Sequence, residues 1–71
     1  MLDGVVRNVV AFGAFVDVGL KNDGLVHISE IVDRYIRDPK EVLEVGQKVR
    51  VKVTSIDKET GKIQLSIKQA N

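Results

Sequence analysis

The chain has 71 residues, no cysteine and a formal net charge of +1, which allows one small domain and excludes disulfides, thiolate metal sites and a polybasic tail. Its residues are 44% hydrophobic and 30% charged, and the many valines and isoleucines favour β-strands around an apolar core. Nothing in the sequence resembles a signal peptide or reaches the roughly twenty apolar residues of a membrane helix, so we expect a cytoplasmic protein without a membrane partner.

The first part of the chain predicts three strands. Strand one spans Leu2–Val10, and Gly13 predicts a bulge or kink that leads into strand two over residues 14–18. Residues 20–24 include Asn, Asp and Gly, which are typical of a turn. Strand three follows over residues 25–28. We therefore expect strands two and three to be neighbours in one sheet.

Apolar residues alternate with other residues along strands two and three. Ala14 and Val16 share one face of strand two, so Phe15 lies on the other face. Along strand three, Val26 and His27 likewise point to opposite faces. If the branched residues face a core, Phe15 and His27 are directed toward solvent on neighbouring strands. An exposed aromatic ring in so small a protein indicates a surface that binds a partner.

The middle of the chain loses the strand pattern. Ser29 predicts the cap of a short helical turn over residues 30–32. A second helix start is predicted with Asp38 as N-cap, Pro39 at the first helical position and Glu41 closing a capping box. This helix is expected to have one or two turns.

The last part of the chain predicts two further strands. Valines alternate with lysine and arginine over residues 48–53, and the alternation then slips by one because the next apolar residue is Ile56. A β-bulge at positions 54 and 55 explains the slip. Residues 57–61 predict a turn, and the alternate apolar residues over 63–67 predict strand five.

Five short strands with one short helix between strands three and four predict an all-β fold. A sheet closed into a barrel buries one face of all five strands and removes the exposed edges. The five-stranded antiparallel Greek-key barrel, the OB-fold, has this arrangement, and its oligonucleotide site lies across strands two and three. Those are the strands that carry Phe15 and His27.

Motifs along almost the whole chain carry a resemblance to a known family. They lie at residues 4–6, 12–15 (Phe-Gly-Ala-Phe), 23–29 (Asp-Gly-Leu-Val-His-Ile-Ser), 45–46, 49–53, 57 and 63–66. In order and spacing they resemble the S1 domain, the RNA-binding OB module repeated in the largest protein of the small ribosomal subunit. Residues 35–42 look most similar to the S1 modules of the Tex family of transcription accessory proteins, with the module of polynucleotide phosphorylases as the alternative.

The resemblance implies an RNA-binding surface. The two aromatic residues of the family near the start of strand two correspond to Phe12 and Phe15, and its histidine on strand three corresponds to His27. Its aspartate at the end of strand four corresponds to Asp57. The basic residue beyond the next turn is commonly arginine in the family and is Lys62 here, which lacks the planar guanidinium for bidentate phosphate contact.

We predict a single domain over residues 1–71 that is a module of a larger protein and a monomer in isolation. Its predicted function is non-catalytic binding of single-stranded RNA, with single-stranded DNA as a second ligand, by stacking of bases on exposed rings. No metal or cofactor is expected, because the single histidine has no second histidine or cysteine as a co-ligand. No nucleophile elbow or carboxylate pair indicates an enzyme. The alternative is a protein-interaction module that uses the same apolar surface.

Structural interpretations compete with these roles. Phe15 is a core residue if the two faces of strand two are exchanged, and Phe12 lies at a bend where either face is open. Asp57 caps its own turn, or it binds a ribose hydroxyl or a base. The basic row over residues 48–52 is a solvated strand face or a phosphate track. Further candidates for phosphate contact are Arg7, Lys62 and Lys68.

Overall fold

Five strands and three short 3₁₀ turns make up the regular structure of this computed structural model, which describes residues 1–33 and 35–70. The strands are β1 (Leu2–Val10), β2 (Gly13–Asp17), β3 (Gly24–His27), β4 (Lys48–Ile56) and β5 (Ile63–Ser66). The 3₁₀ turns span Ile28–Glu30, Pro39–Glu41 and Lys68–Ala70. Strand β1 has the predicted bounds, whereas β2 and β3 each begin and end one residue earlier than predicted.

The five strands close into a barrel in the order β1-β2-β3-β5-β4, and β4 pairs with β1 to complete the ring. Strands β3 and β5 are parallel, whereas the other four pairings are antiparallel. Closure leaves no strand edge unpaired along the described barrel, as an OB-fold requires. The predicted fold class is confirmed.

The inward faces of the strands form one apolar core. Val6, Ala14, Val16, Val26 and Val51 have no exposed surface. Residues from outside the barrel strands complete the core, namely Ile31, Ile36, Leu43 and Ile67. Burial of each valine, leucine or isoleucine side chain contributes about 1.5–3 kcal/mol, so the alternation of valines is the main source of stability in a chain without disulfides.

Two irregularities bend the strands. The pairing of β4 with β5 shifts between Val53 and Ser55, which confirms the bulge predicted from the slip in the sequence. A second shift lies in β1, between Val6 and Asn8. Gly13, where a bulge or kink is predicted, is the first residue of β2; it pairs with Val10 and His27 without a register shift, so no bulge lies there, and its φ is +157°.

The connection between β3 and β4 contains two 3₁₀ turns instead of an α-helix. The first turn begins at Ile28 and is capped by His27, so the predicted cap at Ser29 is wrong. The second turn begins at Pro39, and the carboxylate of Asp38 accepts the backbone N–H of Lys40 at 2.9 Å, which confirms the predicted N-cap. Both turns end quickly because the chain must place Ile31 and Leu43 against the barrel core.

Candidate nucleic-acid interface

A row of outward-facing residues crosses all five strands of the barrel. In register with one another are Asn8 on β1, Phe15 on β2, Leu25 on β3, Gln64 on β5 and Ser55 on β4. The central three each lie between inward-facing neighbours, so their side chains project from the outer surface. The prediction that Phe15 faces outward is therefore correct. In this row the apolar residues Phe15 and Leu25 are flanked by the polar residues Asn8, Gln64 and Ser55.

Phe12 and Phe15 form an aromatic pair at this surface. Their ring centroids are 6.3 Å apart and their planes are perpendicular, an edge-to-face arrangement that aromatic rings favour. Phe12 is 52% exposed, whereas Phe15 is half-buried. The backbone oxygen of Phe12 accepts the N–H of Ile28 at 2.9 Å, which holds the bend before β2 against the end of β3. The pair thus lies beside the last residue of β3.

That last residue is His27, whose imidazole is exposed and held at one nitrogen. The backbone N–H of Ser29 donates to Nδ1 at 3.2 Å, and the Ser29 hydroxyl lies 2.9 Å from the same nitrogen. These contacts hold Nδ1 against the 3₁₀ turn, whereas Nε2 makes no hydrogen bond with residues 1–33 and 35–70. His27 pairs with Gly13 across the β2–β3 ladder, so the imidazole and the aromatic pair belong to one side of the barrel.

Asp57 and Lys62 lie together at the turn between β4 and β5. The backbone N–H of Asp57 donates to the oxygen of Lys62 at 2.8 Å. The Asp57 carboxylate accepts the backbone N–H groups of Glu59 at 3.0 Å and Thr60 at 3.4 Å. Hydrogen bonds from Thr60 and Glu59, together with the charge of Lys62, lower the pKa of Asp57 below its ordinary value of 3.8. Asp57 therefore caps its own turn, as one interpretation of the sequence predicts.

This turn lies at the start of β3, at the opposite end of the strand from His27. The side-chain amide of Asn22 donates to the oxygen of Gly61 at 3.1 Å, and Gly24 pairs with Ile63. Because β3 has four residues, the two ends are separated by about 10 Å. The five predicted site residues thus lie on the β2–β3–β5 side, with Phe12 and His27 at one end of β3, Asp57 and Lys62 at the other, and Phe15 between them opposite Leu25.

Most other candidate phosphate contacts have carboxylate partners or lie elsewhere. The basic row of residues 48–52 is on β4, which β5 separates from β3. Three basic residues form surface ion pairs: Arg7 with Asp17 at 3.8 Å, Arg50 with Asp3 at 3.6 Å and Lys68 with Glu30 at 3.3 Å. Surface ion pairs contribute little to stability.

Three residues near the candidate interface, Gln64, Tyr35 and Arg37, are not among the site residues predicted from the sequence. Gln64 lies next to Leu25, and its outward direction follows from alternation in β5, but the parallel pairing that brings it there leaves no sequence signal. Tyr35 is 87% exposed and lines a groove with Arg37. Both follow the end of β3 in a segment without periodicity.

The described part of the chain, residues 1–33 and 35–70, contains no group of three or more histidine, aspartate or glutamate side chains placed to hold a metal ion. None of its helical turns is long and apolar enough to span a membrane.

Comparison with known proteins assigns the family. The S1 RNA-binding domain matches residues 1–68. Protein Tex of Bordetella pertussis is 47% identical over 68 residues, covering 96% of this chain and 9% of that protein. Small ribosomal subunit protein bS1 of Staphylococcus aureus is 48% identical over 68 residues, covering 96% of this chain and 17% of that protein. The chain thus spans a small part of these relatives.

A solved structure supports the same assignment. The solution structure of GSP13 from Bacillus subtilis has a TM-score of 0.87 and 46% identity, covering 96% of this chain and 52% of that chain. The predicted resemblance to S1 domains, including those of Tex proteins, is confirmed. The chain belongs to the S1 RNA-binding domain family.

Proposed function

We propose that this chain binds single-stranded RNA, without catalysis, on the outer face of β2, β3 and β5. The observation that carries the proposal is the aromatic pair of Phe12 and Phe15 beside an exposed imidazole on one side of an OB barrel. Every base has a π-face, so exposed rings bind bases with little regard to identity. Membership of the S1 family supports RNA as the ligand.

The perpendicular planes of Phe12 and Phe15 favour a single strand over a helix. Bases that stack on the two rings lie in planes at 90° to each other, whereas consecutive bases of a helix are nearly parallel. A strand bound to both rings therefore has its bases turned apart, as in the splayed single strands that RNA-binding modules recognise. Each stacked base contributes roughly 1–3 kcal/mol.

The polar groups at the two ends of β3 support contacts to the RNA backbone. His27 is exposed and, because Nδ1 accepts from Ser29, offers Nε2 as the donor at one end. Lys62 is the cation at the other end, and Asp57 holds the turn that carries it. Gln64, at the centre of the surface beside Leu25, has a side-chain amide able to hydrogen-bond a base edge. Little sequence preference is expected from so few polar groups.

The small share of its relatives that the chain spans supports a modular role. We expect the domain to act within a longer protein of transcription or RNA processing, and to bind weakly by itself. Linked modules gain affinity because the second contact becomes intramolecular. Single-stranded DNA offers the same bases for stacking and is the second ligand to test.

Titration of the isolated domain with oligo-uridine and oligo-deoxythymidine, followed by fluorescence anisotropy, tests the proposal. Phe15→Ala is expected to weaken binding about tenfold or more, because it removes one stacking contact. The matched control is Leu2→Ala, which removes a part-exposed apolar side chain from the β1–β4 side of the barrel. This control is expected to leave affinity unchanged.

The salt dependence separates RNA from a protein partner. If three phosphates are neutralised, affinity for a single strand falls with salt at a log–log slope of about −2. Absence of binding to either oligonucleotide, or equal effects of Phe15→Ala and Leu2→Ala, would contradict the proposal. Such a result would favour the alternative of a protein-interaction surface on the same apolar residues.

A further inference from the structure

A groove begins where β3 ends, next to the proposed RNA surface. Its lining residues are Ile28, Ser29, Val32, Asp33, Tyr35, Ile36, Arg37 and Lys68. Ser29 connects the two regions, because it bonds Nδ1 of His27 and also lines the groove. Ile28 connects them a second time, through its hydrogen bond to the backbone of Phe12. A strand that passes Phe15 and His27 along β3 therefore arrives at the mouth of this groove.

We propose that the groove is a second subsite for the same RNA strand, with Tyr35 as a third stacking ring and Arg37 as a phosphate contact. The proposal rests on the function proposed above. It assigns the nucleotides beyond His27 to a segment that lies outside the five strands of the barrel.

Tyr35 is the residue of the groove that most clearly indicates a bound ligand. Its side chain is 87% exposed, and it makes no hydrogen bond, ion pair or ring contact with the described residues. Nearby, Ile36 is buried in the core cluster, so the backbone beside Tyr35 is attached to the barrel while its ring remains in solvent. An attached, exposed ring beside the apolar side chains of Ile28 and Val32 in the groove has the properties of a base-stacking platform.

The charges in the groove favour Arg37 as the residue that contacts the phosphate backbone of the RNA. Lys68 is paired with Glu30 at 3.3 Å, whereas Arg37 has no carboxylate partner within residues 1–33 and 35–70. Asp33 also lines the groove and offsets part of the attraction for an anion. The guanidinium of Arg37 is therefore expected to act through local bidentate contact with a phosphate, not through a broad positive field.

Stacking and phosphate contact predict different responses to salt, which gives each residue its own test. Tyr35→Ala is expected to lower affinity for a ten-nucleotide oligo-uridine about tenfold with an unchanged salt slope. Tyr35→Phe keeps the ring and is expected to restore the affinity. Arg37→Ala is expected to make the slope shallower by about 0.7, as one lost phosphate contact does for a single strand.

Oligonucleotide length separates the groove from the main surface. A four-nucleotide oligo-uridine is expected to occupy the Phe12–Phe15 surface, so Tyr35→Ala leaves its affinity unchanged while Phe15→Ala weakens it. Arg50→Ala is the control for Arg37→Ala, because Arg50 is an exposed arginine on β4. The control is expected to leave the affinity for both oligonucleotides nearly unchanged.

Two outcomes overturn the inference in distinguishable ways. If Tyr35→Ala leaves the ten-nucleotide affinity unchanged while Phe15→Ala lowers it, the groove is not an RNA subsite and the proposed function stands. A groove that binds a peptide would give this result. If neither variant affects either oligonucleotide, the proposed function fails together with the groove. As a folding control, the Tm of each variant is measured by thermal unfolding. A Tm equal to that of the wild type shows that the fold is intact.

Discussion

Ser29 determines which nitrogen of His27 carries a proton in the neutral imidazole. A backbone N–H can only donate, so its 3.2 Å contact with Nδ1 requires this nitrogen to be an acceptor. The Ser29 hydroxyl, 2.9 Å from the same nitrogen, then shares the single lone pair of Nδ1 as a second donor. The remaining proton is on Nε2 of this exposed side chain, where it is available to a phosphate or a base carbonyl.

This arrangement predicts the tautomer and separates two roles of His27. Nitrogen-15 NMR of the neutral imidazole is expected to show the Nε2–H form, and Ser29→Ala is expected to preserve it because the backbone N–H remains. His27→Asn keeps an acceptor near Nδ1 but loses Nε2–H. It should therefore retain stability and lose about fivefold in RNA affinity, roughly one hydrogen bond. An Nδ1–H tautomer in the spectra would contradict this account.

Lys62 is a position where a single substitution is expected to increase affinity. The lysine is exposed at the turn that Asp57 caps, and its ammonium binds a phosphate as a point charge. Lys62→Arg supplies a planar guanidinium that forms two parallel hydrogen bonds with a phosphate or stacks on a base. We expect a gain of about threefold to tenfold in oligo-uridine titrations. Unchanged affinity of the Lys62→Arg variant would show that Lys62 does not contact the strand.

The parts of the fold that the sequence predicted correctly depend on local alternation. The inward valines, the outward Phe15 and the bulge before Ser55 all follow from a period of two and its interruption. The start of the second 3₁₀ turn follows from Asp38 and Pro39, but its length does not, because a cap residue predicts where a turn begins and not how soon core packing ends it. The sequence predicts Ser29 as the cap of the first turn, whereas His27 takes that role.

The missing part of the site depends on contacts between distant segments. Gln64 reaches the surface through parallel pairing of β3 with β5, and Asn22 holds the Asp57 turn through Gly61. Neither contact has a sequence pattern. Tyr35 lies in a segment whose direction depends on how Ile36 enters the core, so its exposure required the folded chain.

Asp57 makes the stability of the domain sensitive to acid. Hydrogen bonds from Thr60 and Glu59 and the charge of Lys62 lower its pKa in the folded state below the ordinary value of 3.8. The carboxylate therefore stabilises the fold fully above the pKa of the unfolded chain, and this contribution is lost as pH falls through the lower folded pKa.

Urea unfolding of the wild type and Asp57→Asn at several pH values tests this linkage. The wild type is expected to be more stable at pH 7, and the difference should shrink as the pH falls below about 4. A difference that stays constant between pH 7 and about pH 2.5 would show that the turn depends on the acceptor oxygens and not on the charge.

Gly13 is expected to be the glycine of β2 that cannot be replaced without moving a strand. A Cβ at this position would collide with the backbone oxygen of Val26 on β3, and the φ of Gly13 is +157°. Backbone atoms cannot move aside as a flexible side chain does, so β2 and β3 would have to separate. Gly13→Ala is expected to reduce the free energy of unfolding by about 2 kcal/mol or more. It should also weaken RNA binding, since Gly13 pairs with His27.

Gly19→Ala is the matched control for this effect. Gly19 has φ of +83°, and no atom lies within 4 Å of the position that a Cβ would occupy, so alanine there costs only the strain of a left-handed backbone, roughly 1 kcal/mol. Urea unfolding should therefore rank Gly13→Ala as the more destabilising change, and only Gly13→Ala should alter the amide chemical shifts of β3. Equal destabilisation by the two variants would mean that backbone conformation, and not the close approach of β3, requires glycine at position 13.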